Sequence, residues 1–281
     1  MKRPPFKQYI PAIFLALLAA ACFSAGLFSG QAEETDLGSR FLEPSSTHLL
    51  GTDELGRDVF VRLLYGGQVS LAVAAIAGLL AAVVGTTVGM VAGYAGGKWD
   101  ALLMRITDVM ISLPALPLLI ILSAVDLSKL GIPAGEYTNL WKIIAIISLL
   151  SWTTVARLAR ARMLVLKETD FVRAAKALGV SHARILLRHI FPNLLGTIVV
   201  ATTLATGNII LTESVLSFLG LGIQPPLPSW GNMLSHAART IWEHAEMTFY
   251  PGIMIFATVL AFNYLGDALQ SRFDPKAKTG P

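Results

Sequence analysis

Residues 63–97 read LLYGGQVSLAVAAIAGLLAAVVGTTVGMVAGYAGG and contain no charged side chain. A helix that crosses a lipid bilayer needs about 20 consecutive, mostly apolar residues. The stretch exceeds that length, so it predicts a membrane-spanning helix. Small residues recur along it every three or four positions, namely Gly78, Ala82, Gly85, Gly89, Gly93 and Gly97. Such a row lets a second helix approach closely in lipid, so it indicates helix packing and carries no chemistry of its own.

Five further uncharged stretches accompany this one, at residues 8–32, 109–125, 143–156, 189–212 and 247–266. The stretch 143–156 is short and reaches spanning length only if Arg157 and Arg160 extend to a headgroup region. The sequence therefore predicts an all-α integral membrane protein with six transmembrane helices. We expect these near 9–29, 68–93, 106–125, 139–159, 195–221 and 248–267.

The composition excludes several other classes of protein. The 281 residues are 54% hydrophobic and 14% charged, whereas about a quarter of the residues in an ordinary soluble domain are charged. A mean hydropathy of +0.63 excludes a disordered chain. The net charge of +4 is too small to suggest nucleic-acid binding. A single cysteine, Cys22, excludes an internal disulfide and a multi-cysteine metal site.

The distribution of the 22 Lys and Arg residues predicts the orientation, because cytoplasmic loops carry the excess. One set of alternating segments holds sixteen, at Lys2, Arg3, Lys7, Lys98, Arg105, the eight positions from Arg157 to Arg188, Arg272, Lys276 and Lys278. The other set holds six, at Arg40, Arg57, Arg62, Lys129, Lys142 and Arg239. Both termini and residues 160–190 are therefore expected in the cytoplasm, with 31–66 and 222–246 outside.

The first apolar stretch has a second interpretation. Basic residues at positions 2–7 followed by an apolar run also describe a secretory signal peptide. Five more apolar stretches follow, which favours an anchor helix that stays in the protein. Cys22 is then a small apolar residue within that helix.

The third and fifth predicted spans contain polar or helix-breaking residues. Pro114 and Pro117 each remove a backbone donor and should bend the third span. On the fifth, Thr202, Thr206, Glu213 and Ser217 fall within about 60° of one another around the helix. A carboxyl group at membrane depth often marks a transport pathway. It also suits a structural hydrogen bond to a neighbouring helix, and both interpretations stay open.

Residues 169–193, TDFVRAAKALGVSHARILLRHIFPN, are the most informative segment. Thr169 or Asp170 suits the start of a short helix, and Gly179 suits the left-handed position after its end. Ser181 suits the start of a second helix, which Pro192 is expected to stop. Contact with lipid and contact with another protein would produce the same basic, amphipathic pattern.

This segment resembles the conserved cytoplasmic loop of ABC importer membrane subunits. The resemblance rests on Arg173, Ala174, Ala175, Gly179, Ile190 and Pro192. Arg173 stands where the family usually has Glu, and Phe191 where it has Leu. Residues 48–58, 93–100, 217–232 and 262–267 are similar to the dipeptide, oligopeptide and nickel importer group. The resemblance covers nearly the whole chain.

The resemblance implies a type I ABC importer transmembrane domain over residues 67–270. Residues 1–66 would form an anchor helix and an external segment, and 271–281 a short cytoplasmic tail. Loop 160–192 would couple the permease to a separate ATPase through the six residues that carry the resemblance. The expected partners are a sibling permease, ATP-binding subunits that hold ATP and Mg²⁺, and an extracytoplasmic solute-binding protein. The location would be a bacterial or archaeal plasma membrane.

The sequence contains no phosphate-binding loop, because Ala92 and Trp99 break the required pattern around Lys98. We therefore expect no enzymatic activity and no cofactor in this chain. A membrane enzyme and a passive channel are the competing classes, but the chain has neither a protease motif nor a filter sequence. Peptides are the preferred substrate. Nickel or a metal chelate is the alternative, although the external residues His48, His236 and His244 are isolated from one another in sequence.

Overall fold

The computed structural model describes residues 9–28, 35–131, 133, 135 and 137–273. Within these ranges the chain is helical, and the single strand-like feature is an isolated antiparallel bridge between Thr52 and Asp58. The predicted all-α class is confirmed. Part of the charge pattern, at Lys2, Arg3, Lys7, Lys276 and Lys278, lies outside the described residues.

Ten helices follow one another along the described chain. They are α1 (Ile10–Phe23), α2 (Val59–Ala95), α3 (Gly97–Ser112), α4 (Ala115–Ser123), α5 (Thr138–Leu166), α6 (Asp170–Ala177), α7 (His182–Arg184), α8 (Phe191–Phe218), α9 (Trp230–Ala237) and α10 (Ala245–Phe273). A π-helical turn, Ile185–Ile190, joins α7 to α8 without a break. Short 3-10 turns occupy Ala25–Leu27, Leu37–Ser39 and Leu127–Leu130.

Four helical segments of the described chain are long and apolar enough to cross a membrane. They are α2, α5, the continuous helix His182–Phe218 and α10. The pair α3 and α4 makes a fifth if it is counted as one bent span. The first predicted span contains α1, which is apolar but only 14 residues long. The count of six straight spans is therefore not reproduced, although each predicted position contains an apolar helix.

The third span is bent as its two prolines predict. Helices α3 and α4 meet at an angle of 86°. Pro114 precedes α4 and Pro117 lies in its first turn, where the missing N–H groups need no partner within the helix. The helical region begins at Gly97 rather than near residue 106, because Gly96, with φ of +65°, ends α2 and lets α3 start at once.

The glycine row of α2 packs against α5. A side chain at Gly85 would overlap the carbonyl of Trp152, and one at Gly89 would overlap the carbonyl of Ala156. Gly78 faces Thr206 of α8 instead. Close approach of this kind replaces the hydrophobic effect as the source of helix association in lipid. Helix α2 thus lies at the centre of the bundle, in contact with α1, α5 and α8.

The core is formed where α2, α5, α8 and α9 meet. Its fully buried side chains include Ile143, Ile147, Ile209, Leu216 and Trp230. Cys22 of α1 is also fully buried there, beside Gly67, and Gln68 donates a hydrogen bond to its carbonyl. In the structure, Cys22 therefore packs as a small apolar residue.

Candidate coupling site

Helix α6 ends in a Schellman motif centred on Gly179. The Val180 amide donates to the Ala175 carbonyl at 3.1 Å, and the Gly179 amide donates to the Lys176 carbonyl at 3.0 Å. Gly179 has a φ of +73°, which side chains rarely adopt, and a Cβ placed on it would meet nothing within 4 Å. The glycine is therefore required by its backbone conformation alone, as the sequence predicts.

The two faces of α6 differ sharply. Val172 and Ala175 are buried within this chain. Arg173 and Ala174 are exposed, and Leu178 at the end of the helix is 82% exposed. Of the two predicted alanines, Ala174 thus faces outward, whereas Ala175 packs inward. The outward face of α6, with Arg173, Ala174 and Leu178, is therefore the face that another molecule can contact.

The inward face of α6 belongs to a separate apolar cluster at one end of the bundle. Its buried members are Ala159, Met163, Leu166, Val172, Ala175, Ile185, Ile190 and Leu194. They come from α5, α6, the π-helical turn and α8. The cluster therefore fixes α6 to the helices on both sides of it.

Three contacts also tie this segment to the end of α2. The Tyr94 hydroxyl lies 2.5 Å from Nδ1 of His182. The Lys176 ammonium lies 5.8 Å from the centre of the Tyr94 ring, and Lys167 donates to the Gly93 carbonyl at 3.0 Å. Sequence reasoning noted residues 93–100 as a motif but missed that Tyr94 holds α6 and α7 in place.

The prediction that Pro192 stops the second helix is wrong. The helix continues through Pro192 to Phe218. The π-helical turn immediately before it widens the helix, and such turns accommodate an interrupted hydrogen-bond ladder. The Asn193 side chain donates to the His189 carbonyl at 2.7 Å, which satisfies one carbonyl beside the interruption. Ile190 is buried and Pro192 is exposed.

Two ion pairs join α3 to α5 near the same end. Arg160 makes two hydrogen bonds of 2.6 Å to the Asp100 carboxylate, and Arg157 makes one of 2.6 Å to Asp108. The sequence prediction assigned these arginines to a headgroup region. In the structure each arginine instead pairs with a carboxylate of the bent third span.

The predicted polar stripe of α8 is turned toward the inside of the chain. Glu213 is fully buried and accepts hydrogen bonds from Ser70 at 3.0 Å and from Ser217 at 2.7 Å. Thr206 is buried and donates to the Thr202 carbonyl at 2.8 Å. Thr202 itself is half-buried.

The Glu213 network extends to the segment that follows α8. The Ile223 amide donates to the Ser217 hydroxyl at 2.9 Å, and the Trp230 amide donates to the Ser70 hydroxyl at 3.3 Å. The network therefore braces α9 against α2 and α8. A pathway role for Thr202, Thr206, Glu213 and Ser217 remains a prediction, and their geometry favours the structural interpretation.

The segment before α2 is organised around Asp53. Its carboxylate accepts from Arg57 at 2.8 Å and lies 3.5 Å from Arg62. His48 and His236 each contact one acid, with His48 at 2.9 Å from Asp58 and His236 at 2.9 Å from Glu54. No group of three or more His, Cys, Asp or Glu that suits a metal occurs among the described residues.

Comparison with known proteins identifies the family. The family described as "Binding-protein-dependent transport system inner membrane component" matches residues 85–279, which include α6, its glycine turn and the polar stripe. This chain belongs to that family. It is therefore a transport permease of the ABC type, as the sequence resemblance implies.

Two curated relatives illustrate the match within the family. The chain is 38% identical over 267 residues to the dipeptide transport system permease protein DppC of Alkalihalophilus pseudofirmus, covering 95% of this chain and 84% of the relative. It is 39% identical over 266 residues to the glutathione transport system permease protein GsiD of Pectobacterium atrosepticum, covering 94% and 85%.

A solved structure shows the same fold. It is an inward-facing form of the MetNI methionine ABC transporter, matched with a TM-score of 0.62 at 18% identity. The match covers 76% of this chain and 96% of the matched chain. The predicted ABC importer fold is confirmed by this likeness.

Proposed function

We propose that this permease is one of two sibling subunits that form the translocation path of an ATP-driven peptide importer. An extracytoplasmic binding protein delivers the peptide, and separate ATP-binding subunits hold ATP and Mg²⁺. The observation that carries the proposal is α6, a short helix that ends at the Gly179 turn and has a buried inner face and an exposed outer face. Such a helix suits a groove on a partner protein.

The coupling role is assigned to α6 and the turn that follows it. Arg173, Ala174 and Leu178 form the surface offered to the ATPase, while Ala175 and Ile190 hold the helix to the permease. Gly179 orients the turn, and Pro192 lies where the loop returns to the membrane.

Movement of α6 would be transmitted to the spanning helices. Tyr94 and the apolar cluster hold this segment against α2, α5 and α8, so a displacement of α6 would displace these helices too.

Peptides are the proposed substrate because the relatives named above transport a dipeptide and glutathione, which is itself a peptide. A metal substrate receives less support, because the candidate histidines do not share one set of partners. His48, His236 and His244 each contact a different carboxylate, at Asp58, Glu54 and Glu246.

The proposed topology places both termini and residues 160–190 in the cytoplasm. Cysteine scanning in a Cys22→Ala background tests it with a membrane-impermeant thiol reagent. Ser181→Cys should resist labelling from outside intact cells, whereas Leu37→Cys in the external segment should react. Labelling of Ser181→Cys from outside would contradict the topology.

Reconstitution tests the proposed function directly. The permease, its sibling, the ATP-binding subunits and the binding protein are placed in liposomes, and uptake of a labelled dipeptide is followed. Uptake should require ATP and the binding protein, and should stop when the ATP-binding subunits are omitted. Uptake that continues without ATP would indicate a passive channel.

A further inference from the structure

A cleft opens between α5, α8 and α10 at the end of the bundle that carries α6. Leu158 and Arg162 of α5, Thr197 and Leu204 of α8, and Gln270 and Phe273 of α10 line it. It contains about 870 Å³ of empty space, including the part open to the outside. The Arg162 Nε atom is buried there and has no hydrogen-bond partner among the described residues.

Two asparagines continue the walls of this cleft toward the middle of the bundle. Asn208 lies one turn beyond Leu204 on α8, and Asn263 lies two turns before Gln270 on α10. Both side chains are exposed on the surface of this chain. Neither carboxamide has a hydrogen-bond partner within the described part of the chain. The Asn263 side-chain oxygen would lie 3.9 Å from a Cβ on Gly207, the residue before Asn208, so the two asparagines lie at the same level of α8 and α10.

Both asparagines lie in the central part of an apolar helix, Asn208 in α8 and Asn263 in α10. Each is about four residues from the midpoint of its helix, which corresponds to about 6 Å along the axis. Lipid tails offer no hydrogen bonds, so an exposed carboxamide at this depth should face protein or a water-filled cavity. The surface that carries Asn208 and Asn263 is therefore a poor fit to lipid.

We propose that this surface, Asn208 and Asn263 together with the Arg162 cleft, is the part of the translocation path that contacts peptide in transit. The assignment rests on the proposed importer function. A carboxamide both donates and accepts hydrogen bonds, so it can pair with peptide groups whatever the side chains of the substrate. The Arg162 guanidinium suits the C-terminal carboxylate that every free peptide carries.

Thiol labelling tests whether this surface is in water and whether peptide reaches it. Asn208→Cys and Asn263→Cys are made in the Cys22→Ala background of the assembled transporter, with Leu79→Cys as the control. Leu79 is 63% exposed near the middle of α2. A charged, membrane-impermeant reagent should label both asparagine positions and leave Leu79→Cys unlabelled.

A saturating dipeptide and ATP should slow labelling of both asparagine positions several-fold. Failure to label either asparagine position, or labelling that peptide does not change, would overturn the proposal.

Apolar substitution provides a second measurement. Asn208→Leu and Asn263→Leu should lower peptide uptake at least tenfold while the sibling permease and the ATPase still co-purify. Thr203→Val is the control on the same helix, because the Thr203 hydroxyl already donates to the Val199 carbonyl at 2.8 Å.

Unchanged uptake in the two leucine variants would show a lipid-facing surface, and loss of the sibling permease would show a subunit contact. Either result would contradict the proposal. Absence of uptake in the unaltered transporter would instead refute the proposed function.

Discussion

The Tyr94 hydroxyl lies 2.5 Å from Nδ1 of His182 and so joins the last turn of α2 to the first residue of α7. The Lys176 ammonium of α6 lies over the same aromatic ring, 5.8 Å from its centre. One side chain of a spanning helix therefore contacts both short helices of the coupling segment. Because α2 also packs on α5 and α8, this contact is a direct route between the bundle and α6 and α7, which belong to the proposed coupling loop 160–192.

Removing the Tyr94 hydroxyl should weaken that route without unfolding the protein. A hydrogen bond contributes about 0.5–1.5 kcal/mol, which corresponds to roughly a 2- to 10-fold effect. We expect Tyr94→Phe to retain the ATPase and to reduce peptide-stimulated ATP hydrolysis by that factor. Tyr137→Phe, at an exposed position beside α5, is the control. Full stimulation in Tyr94→Phe would show that the contact plays no part in coupling.

Gly179 should tolerate asparagine far better than valine. A Cβ at this position meets no neighbouring atom, so the cost of substitution comes from the φ of +73° alone. Asparagine adopts this conformation several-fold more often than other side chains, whereas for a β-branched residue it is an outlier. Gly179→Val should release the ATPase or abolish stimulation, and Gly179→Asn should retain most of both. Equal effects of the two variants on ATPase pull-down would contradict this explanation.

Glutamate at positions 174 and 175 should fail in different ways. Ala175 is buried within the chain, where an unpaired charge is costly. Ala175→Glu should therefore lower the amount of folded permease in the membrane. Ala174 is exposed, so Ala174→Glu should insert normally and lose the ATPase. Membrane yield and ATPase pull-down are measured on the same samples. Normal yield of Ala175→Glu would be inconsistent with the packing described for α6.

Glu213 should act as a structural brace. Glu213→Ala leaves the buried hydroxyls of Ser70 and Ser217 without their carboxylate acceptor, at a cost of about 1–3 kcal/mol each. We expect lower complex yield and faster proteolysis of residues 222–246. Glu213→Gln keeps one acceptor oxygen and should be milder. Normal yield with lost uptake in both variants would instead support the pathway role.

Several features of the fold could be predicted because they depend on local chemistry. The uncharged stretch 63–97 marks α2, and its glycine spacing anticipates the close contact with α5. Pro114 and Pro117 locate the bend of the third span, since a missing N–H acts wherever proline stands. Gly179 marks the turn after α6 for a similar reason.

Other features depend on backbone geometry without a clear sequence signal, or on partners that are distant in sequence. Pro192 alone suggests a helix end, because the π-helical turn that accommodates it has no simple sequence signal. Because Asp100 and Arg160 are charged, the uncharged stretches of sequence end before them. In the structure these two residues pair with each other, and α3 and α5 extend past them. Glu213 suggests a pathway from its depth alone, whereas its contact with Ser70 spans 143 positions of sequence. For Arg160 and Glu213 the missing information was the identity of the residue that each one contacts.

Co-purification of the ATP-binding subunits with Leu178→Asp tests the coupling role of α6 most directly. Leu178 is 82% exposed and ends the outward face of α6, and burying a leucine in a partner contributes about 1.5–3 kcal/mol. Leu219→Asp, at a 50% exposed position after α8, is the matched control. For equal amounts of permease in the membrane, Leu178→Asp should retain at most a tenth of the ATPase that Leu219→Asp retains. Equal retention by the two variants would contradict the assignment of α6 as the coupling helix.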